Sequence, residues 1–468
     1  MSRVLPAATF CVIAMSVLAG AVVGLGGCER GDSATAHAAT MAASAPAAAA
    51  PAAAAATATV GKPTVAPAYE KAFYTMMATR RPSVPAMTAL GKALFFDPAM
   101  SASGKLACAS CHSPTHAYGP PNDLSVQLGG TGMNKTGVRA APSLRYLQNV
   151  PPFSEHFYES DGNDSEDQGP TGGYTWDGRV SSTHDQARIP LLSGHEMANG
   201  TQASVVAKLR NGRHAQTFRQ VFGNDILDNE DTAFRAALMV LEVFQETPSE
   251  FYPYDSKYDA FLRKQAKLSP QEMRGLQAFS DPAKGNCASC HVSAIKQDGA
   301  FPAFTDFGHI AVGVPRNRTL AANADPKFFD LGLCGPDRTD LKDRADYCGR
   351  FRTPSLRNVA LRKTFFHNGA VHSLEDAVRF YAQRDTQPQK WYPRKADGTV
   401  DKFDDLPPQY RANVNMEPPF GGKPGDTPVL SEADVRDIVA FLKTLSDGYR
   451  PVRTAQSGAQ GGSRVAQR

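Results

Sequence analysis

Cys108-Ala109-Ser110-Cys111-His112 and Cys287-Ala288-Ser289-Cys290-His291 decide the fold, because each stretch reads C-x-x-C-H. This is the attachment motif of c-type haem: two thiols form thioethers with the haem vinyl groups, and the adjacent His ligates the iron. From the Cys and His counts of the chain, chance would produce such a match roughly 0.003 times. Two zinc sites are the alternative, but haem is attached to these motifs outside the cytoplasm, where the N-terminus directs this chain. The sequence therefore predicts two covalently bound haem c groups, with His112 and His291 as proximal ligands.

The residues before the two motifs repeat as well. Segments 91–99 and 275–283 share the frame G-x-x-x-F-x-D-P-A, which indicates that one haem-binding unit has been duplicated. Residues 269–272 form a capping box with Pro at the first helical position, so a helix is expected to begin there. Asp281-Pro282 should end this helix just before the haem motif.

A later amphipathic helix is expected in each unit. Apolar residues recur at helical spacing over residues 231–246 and again over residues 431–445. Alternation with a period of two is scarce, so few strands are expected. The order helix, haem motif, loops, helix is typical of cytochrome c. We therefore predict a mainly α fold with two cytochrome c-like haem domains related by internal duplication.

Composition excludes several classes of protein. The 468 residues are 42% hydrophobic and 21% charged, which is enough apolar material for a large core and excludes a disordered or fibrous chain. The net charge is only +4, with both signs interspersed, so nothing favours binding to nucleic acid.

The N-terminus is typical of an exported protein. Residues 4–27 are uncharged and mostly apolar after Arg3, which predicts an export signal over residues 1–27. Leu25-Gly26-Gly27-Cys28 resembles a bacterial lipobox, so we expect Cys28 to be lipidated and to tether the protein to a membrane. Signal cleavage near Ala36-His37-Ala38 and an uncleaved anchor are the alternatives. Each alternative places the body in the periplasm, with membrane contact only through the N-terminal anchor.

Segment composition also divides the rest of the chain. Residues 28–67 are rich in Ala, Thr and Pro and are predicted to form a low-complexity tether. Residues 68–250 should form the N-terminal haem domain and residues 251–452 the C-terminal one. The Gly-, Gln- and Ser-rich residues 453–468 are predicted to be a disordered tail.

Two cysteines remain outside the haem motifs. Cys334 and Cys348 have no neighbouring His, and the chain is predicted to be exported, so a disulfide is expected. In the chain-entropy model, closing a loop of about 15 residues contributes about 3 kcal/mol. Two free thiols are the alternative.

Several motifs resemble the bacterial dihaem cytochrome c peroxidase family, which includes MauG. The two haem motifs stand 179 residues apart, with Trp176-Asp177-Gly178-Arg179 between them. Residues 351–359, which read FRTPSLRNV, and Phe366-His367-Asn368-Gly369 also look like that family. The resemblance covers residues 84–448 and implies that the first haem is the peroxide site, while the second stores or relays electrons.

The resemblance also implies site residues. The family pattern places a distal Gln ten residues after the Trp and a distal Glu ten residues further on; these are Gln186 and Glu196 here, with Pro190 fitting the same pocket. A carboxylate above the open face of a haem can move the proton of peroxide, and an amide can orient it. Trp176 matches the Trp that lies between the haems and suits electron relay. Without the resemblance, Glu196 would be interpreted as a surface group and Trp176 as a core residue.

Two departures from the family bear on the mechanism. Peroxidases of the family keep a His sixteen residues after the first haem His, which plugs the peroxide site; here that residue is Leu128. Met133 could plug the site, but an open or aqua site is expected. The second-haem Met ligand, fourteen residues after the His of the F-H-x-G string, is replaced by Tyr381, as in MauG. A phenolate favours the higher oxidation states of iron; Met416 and His309 are the alternative ligands.

Calcium is not favoured by the sequence. The family usually binds Ca²⁺ between its domains through an Asn side chain, main-chain carbonyls and waters. The Asn position here is Ala140, and the carbonyls would come from Arg362 and Thr364. Ala140 offers no side-chain oxygen, and Arg362 brings a cation close by, whereas Ca²⁺ prefers several anionic or neutral oxygens.

These residues predict a peroxidase that reduces hydrogen peroxide at the His112 haem. Electrons would come from a small c-type cytochrome or a cupredoxin through the His291 haem and Trp176. A MauG-like oxidase, whose paired Fe(IV) haems oxidise a partner protein, is the first alternative. A dihaem electron carrier without catalysis is the second, and the distal residues Gln186 and Glu196 argue against it.

Overall fold

The helices form where the sequence supplies caps and an apolar stripe. A computed structural model describes residues 68–158 and 167–451, all of which belong to one compact unit. The α-helices of these ranges are α1 (Ala68–Arg80), α2 (Val84–Phe95), α3 (Cys108–Cys111), α4 (Thr183–Leu192), α5 (Gln202–Asn211), α6 (Ala215–Phe222), α7 (Glu230–Gln245), α8 (Pro248–Phe251), α9 (Lys257–Leu262), α10 (Pro270–Ser280), α11 (Leu374–Gln383) and α12 (Glu432–Lys443).

Strands are few and short. In the described ranges they form two antiparallel pairs, in which Leu128 lies opposite Thr136 and His309 opposite Arg352. The strands are β1 (Leu128–Gly129), β2 (Lys135–Thr136), β3 (His309–Ile310) and β4 (Phe351–Arg352). The predicted mainly α fold is confirmed.

The predicted helix boundaries hold to within one or two residues. Ser269 caps α10 through the reciprocal hydrogen bonds of a capping box with Glu272, and Asp281 is the C-cap that follows its last residue. The late amphipathic helices predicted over residues 231–246 and 431–445 are α7 and α12. Capping residues and the helical spacing of apolar residues involve only neighbouring positions, so the sequence alone predicts these helix boundaries.

Each half of the body has its own apolar cluster. One consists of buried residues between Phe73 and Phe251, and the other of buried residues between Tyr258 and Leu445. In the first, α2 packs against α7; in the second, α10 packs against α12. The predicted domain boundary at residues 250 and 251 falls close to the point where the first cluster ends, and it remains a prediction.

The repeated sequence frame corresponds to a repeated set of contacts. A Cβ built on Gly91 would lie 1.8 Å from the Val240 carbonyl oxygen, and one on Gly275 would lie 1.9 Å from that of Asp437. Two helices can approach this closely only where a residue lacks a side chain. The aromatic residues that follow these glycines also match: Phe95 meets Phe244 at a centroid distance of 5.4 Å, and Phe279 meets Phe441 at 5.2 Å.

The predicted disulfide between Cys334 and Cys348 is present, with a Cα–Cα distance of 5.1 Å. No helix in residues 68–158 or 167–451 is long and apolar enough to cross a membrane. The predicted export signal, the lipidated Cys28, residues 28–67 of the tether and the tail at 453–468 all lie outside the described residues.

Candidate functional site

The first haem motif forms a single helical turn, α3, that ends at His112. The His112 amide donates to the Cys108 carbonyl at 2.9 Å, and its Nδ1 lies 3.1 Å from the Tyr118 carbonyl oxygen. A ring nitrogen held by a carbonyl fixes the tautomer and leaves Nε2 as the metal ligand. Burial lowers the pKa of His112 to about 4, so the imidazole is neutral and able to ligate iron at pH 7.

The second motif repeats this arrangement. Cys287–Ser289 form a 3₁₀ turn, and Nδ1 of His291 lies 2.9 Å from the Phe304 carbonyl oxygen. Tyr118 and Phe304, whose carbonyl oxygens accept from the two imidazole rings, both have a left-handed backbone, with φ of 54° and 56°. Burial also lowers the pKa of His291. Both predicted proximal ligands are therefore oriented in the same way, by a main-chain carbonyl at Nδ1.

The surroundings of the four motif cysteines suit a porphyrin. Cys108 and Cys111 pack against the first apolar cluster, and Cys287 packs against the second. Burial raises the pKa of Cys108 and of Cys287 to about 12. Apolar walls and a neutral imidazole with a free Nε2 fit a covalently attached haem in each half.

Helix α4 carries two of the predicted distal residues. Gln186 is half-buried, and Pro190 stands four residues later in the same helix. Proline has no amide hydrogen, so the carbonyl of Gln186 loses its usual helical donor. The carbonyl of Pro190 accepts from the Met197 amide at 3.0 Å, which folds the chain back after the helix.

Glu196 lies in that returning turn and faces the first haem motif. Its charge acts on both Cys108 and Cys111, which places its carboxyl group near the attachment site. Burial raises the pKa of Glu196 and outweighs the opposing charge of His195. The Glu196 backbone is fixed by the β1–β2 hairpin, because the Gly130 amide donates to its carbonyl at 2.8 Å.

The position of the missing plug lies in the same hairpin. Leu128 is 44% exposed, and a Cβ built on the neighbouring Gly129 would lie 2.8 Å from the Glu196 Cα. Met133, the alternative plug, accepts a hydrogen bond on its sulfur from Ser103 at 3.5 Å. Neither residue offers an imidazole to the first haem.

Trp176 lies between the two halves of the body. It is 9% exposed, and its indole nitrogen donates to the Ala140 carbonyl at 2.8 Å. The Ala140 amide donates in turn to the His367 carbonyl at 2.7 Å, and the Arg352 amide donates to the Trp176 carbonyl at 2.8 Å. The indole is therefore held by residues from before and after it in the chain.

Asp177 is a residue that the sequence analysis quoted without giving it a role. Its side chain is fully buried and accepts from Arg139 at 2.6 Å and from Arg179 at 2.7 Å. Burial would raise the pKa of Asp177, but the two guanidinium charges lower it to about 2. Arg338, in the loop closed by the disulfide, donates to the Asp177 carbonyl at 2.8 Å. The only sequence signal for this network was the position of Asp177 beside Trp176.

Tyr381 lies in α11 and faces the second haem motif. Its phenol ring stacks on Phe420 with a centroid distance of 5.3 Å. Burial raises the pKa of Tyr381, and the nearby Cys287 and Cys290 raise it further. No hydrogen bond of its hydroxyl group is found in the part of the chain that the structure describes. A half-buried phenol with a raised pKa loses its proton only beside a cation, which suits ligation of iron.

The alternative ligands make other contacts. Met416 is 45% exposed, and its sulfur accepts from the buried Arg384 at 3.3 Å. His309 is buried, with Nδ1 3.2 Å from the Pro170 carbonyl oxygen and Nε2 2.9 Å from a Cβ built on Gly178. The loop after Met416 also reaches the second motif, because the Pro418 carbonyl accepts from Asn286 at 2.9 Å, and the Nε2 of His309 has no hydrogen-bond partner among the described residues. Met416 and His309 therefore stay the alternative ligands to Tyr381.

Comparison with known proteins agrees with this geometry. The family model of di-haem cytochrome c peroxidases matches residues 85–267. The methylamine utilization protein MauG of Paracoccus denitrificans is 34% identical, over 81% of this chain and 94% of that protein. The cytochrome c551 peroxidase of Pseudomonas aeruginosa is 28% identical, over 62% of this chain and 69% of that protein.

A solved structure is similar over the same region. The diheme peroxidase BthA of Burkholderia thailandensis is 39% identical and superposes with a TM-score of 0.69, covering 78% of this chain and 87% of that one. Because the MauG relative exceeds 30% identity over most of both chains, the relationship includes both haem motifs. The chain therefore belongs to the dihaem cytochrome c peroxidase family that includes MauG, and it is an oxidoreductase that acts on peroxide.

Proposed function

We propose that this protein reduces hydrogen peroxide at the haem held by His112, with electrons that enter through the haem held by His291. The single observation that carries the proposal is Glu196, a half-buried carboxyl group close enough to act on both Cys108 and Cys111. An electron carrier needs two ligated irons and no distal acid. An acid beside one haem motif, with a pKa raised by its surroundings, therefore favours catalysis there.

The haem, when bound, supplies the iron redox chemistry, and the protein supplies proton transfer and orientation. Glu196 takes the proton from one peroxide oxygen and returns it to the leaving oxygen. Its raised pKa suits both tasks, since a carboxyl group buried in this way holds a proton at higher pH than a solvated one. The amide of Gln186 orients the peroxide from α4.

Trp176 provides the route between the halves. Its indole donates to Ala140, and Ala140 is hydrogen-bonded to His367, so the ring is fixed at the junction by short contacts. Fixed aromatic rings suit stepwise electron transfer across a gap too long for one fast step. The buried Asp177 holds the neighbouring backbone through Arg139 and Arg179.

A MauG-like oxidation of a partner protein is the second candidate, and Tyr381 is the observation that favours it. An anionic oxygen ligand stabilises the higher oxidation states of iron. A second haem with such a ligand would store an oxidising equivalent as well as relay electrons. The relatives include proteins named as peroxidases and proteins named as MauG. The family relationship therefore supports both candidate functions.

The proposed setting follows from the N-terminal sequence. We place the body in the periplasm, tethered through a lipidated Cys28, where a small c-type cytochrome or a cupredoxin would deliver electrons to the second haem. Two thioether-linked haems need such a compartment for their attachment. A protein substrate would be recognised only in the MauG-like case.

The test is the Glu196→Gln variant, because the amide keeps the shape of the side chain and loses its proton affinity. Turnover of peroxide with a reduced cytochrome should fall by about 10²–10⁴-fold while both haems remain attached. Glu246→Gln is the matched control, since Glu246 is also a carboxyl group whose pKa is raised by burial, and it lies at the end of α7. Wild-type turnover in Glu196→Gln would overturn the proposal.

A further inference from the structure

Arg362 has an unusual environment for a guanidinium group. Its Nη1 donates to the Ala141 carbonyl at 3.1 Å, and its Nε donates to the Thr364 carbonyl at 3.2 Å. No carboxylate pairs with it in residues 68–158 or 167–451. A half-buried cation whose acceptors are main-chain carbonyls has no carboxylate beside it to compensate its charge. Its positive charge therefore acts on its surroundings without a neutralising carboxylate.

The carbonyl oxygens that accept from Arg362 lie in the region where the family resemblance predicts a calcium ion. Thr364 is one of the two residues whose carbonyls would ligate Ca²⁺, and its oxygen is taken by Arg362. Ala140, at the position of the Asn ligand, supplies no side-chain oxygen. The residues present do not fit Ca²⁺.

The guanidinium joins the two halves of the body at the junction described above. Ala141 follows Ala140, which receives the indole hydrogen bond of Trp176. Thr364 comes shortly before His367, the acceptor of the Ala140 amide. Arg362 therefore fastens the Ala140-Ala141 backbone to the C-terminal half, as an ion bound to carbonyls from both sides would do.

Arg362 also lies against the loop that carries the first proximal ligand. Its Nη1 is 3.8 Å from a Cβ built on Gly119. Gly119 follows Tyr118, whose carbonyl holds the His112 ring, and the Gly119 carbonyl accepts from the Ser113 amide at 2.9 Å. A positive charge this close to a buried metal site favours the reduced, less positive state of the metal.

We infer that Arg362 takes the place of the family's calcium ion: its guanidinium group joins the two halves and raises the reduction potential of the first haem. The protein would then need no Ca²⁺ to hold Trp176 and the first haem in position. The inference rests on two bound haems, but not on which of the two proposed reactions they perform.

The first test measures calcium in the wild-type holoprotein. After dialysis against CaCl₂ and then against buffer, elemental analysis should find less than one Ca²⁺ per chain. EGTA should leave the electron paramagnetic resonance (EPR) spectrum and the potentials of both haems unchanged. One Ca²⁺ per chain, with spectral changes when EGTA removes it, would overturn the inference.

The second test uses Arg362→Gln, which removes the charge and keeps hydrogen-bond donors. The first-haem potential should fall, whereas the second-haem potential should stay at the wild-type value. Lys363→Gln is the matched control, because it removes the same charge from the adjacent exposed residue and should shift neither potential. An unchanged first-haem potential in Arg362→Gln would overturn the electrostatic role.

A third variant tests whether Arg362 replaces a calcium ion, and it keeps the inference testable if Arg362→Gln folds poorly. Ala140→Asn combined with Arg362→Ala restores the Asn ligand and frees the Thr364 carbonyl. This double variant should acquire one Ca²⁺ per chain by elemental analysis, and CaCl₂ should raise its thermal midpoint. A double variant that gains neither would contradict the assignment of this place to a cation.

Discussion

Gly275→Ala tests whether close contact between α10 and α12 holds the second half together. The new Cβ would lie 1.9 Å from the Asp437 carbonyl oxygen and 2.9 Å from the Phe441 Cβ. An ordinary contact begins near 3.4 Å, so the two backbones must separate by about 1.5 Å. The nearest obstacle is a main-chain carbonyl, which cannot rotate away.

The expected loss can be worked from this geometry. Overpacking of a tight contact costs about 1–3 kcal/mol, and a backbone obstacle puts the cost at the upper end. The higher helix propensity of alanine relative to glycine offsets about 1 kcal/mol of this cost. The net loss is then about 2 kcal/mol, or about 4–8 °C in Tm if each half unfolds cooperatively.

The assay is thermal unfolding of the holoprotein followed by circular dichroism, with EPR of the resting protein. Gly275→Ala should perturb the second haem, because α10 leads into its motif. Gly91→Ala should perturb the first haem by the same reasoning, since its Cβ would meet the Val240 carbonyl oxygen at 1.8 Å.

Gly194→Ala is the matched control for stability. A Cβ there has no neighbour within 4 Å, and the residue does not have a positive φ, so its Tm should stay within about 1 °C of the wild type. If Gly275→Ala unfolds at the wild-type temperature, the repeated helix contact does not stabilise the fold as argued.

Three further outcomes are expected. The fully oxidised protein should react with stoichiometric peroxide before any reduction, because Leu128 replaces the His plug; a Soret band that changes only after one electron is added would contradict this. Tyr381→Met should raise the reduction potential of the second haem in a redox titration, since thioether sulfur favours Fe(II). Tyr392→Phe, which alters a buried tyrosine hydrogen-bonded to the Gly313 carbonyl, should leave that potential unchanged. Equal potentials in Tyr381→Met and the wild type would show that Tyr381 does not ligate the iron. Burial alone would raise the pKa of Asp177, but the charges of Arg139 and Arg179 lower it from 3.8 to about 2. The ionised carboxylate therefore stabilises the fold by about 2 kcal/mol above pH 4. This contribution disappears as the pH falls through 2. In denaturant unfolding, the difference in free energy of unfolding between wild type and Asp177→Asn should therefore become smaller from pH 7 to pH 3. A difference that stays constant over this range would refute the reasoning.

Short-range chemistry explains why the sequence predicted the haem motifs, the helices and the disulfide. The C-x-x-C-H strings hold all the attachment atoms within five residues, and the capping box of α10 lies within four. Helical periodicity likewise needs only neighbouring turns. The roles of Glu196 and Tyr381, in contrast, came from the family resemblance, because a single Glu or Tyr has no local signature.

Tertiary structure alone decided what surrounds these groups. Arg362 meets Ala141 across 221 positions of sequence, and Arg338 meets Asp177 across 161. Such contacts leave no periodic pattern, because each depends on where a folded loop brings one side chain. The burial that raises the pKa of Glu196 and the charges that lower the pKa of Asp177 arise in the same way. The sequence by itself therefore determined the cofactors and the helical frame, whereas the electrostatics around each haem exist only once distant segments are packed together, since Coulomb energies depend on distance in space and on the exclusion of water.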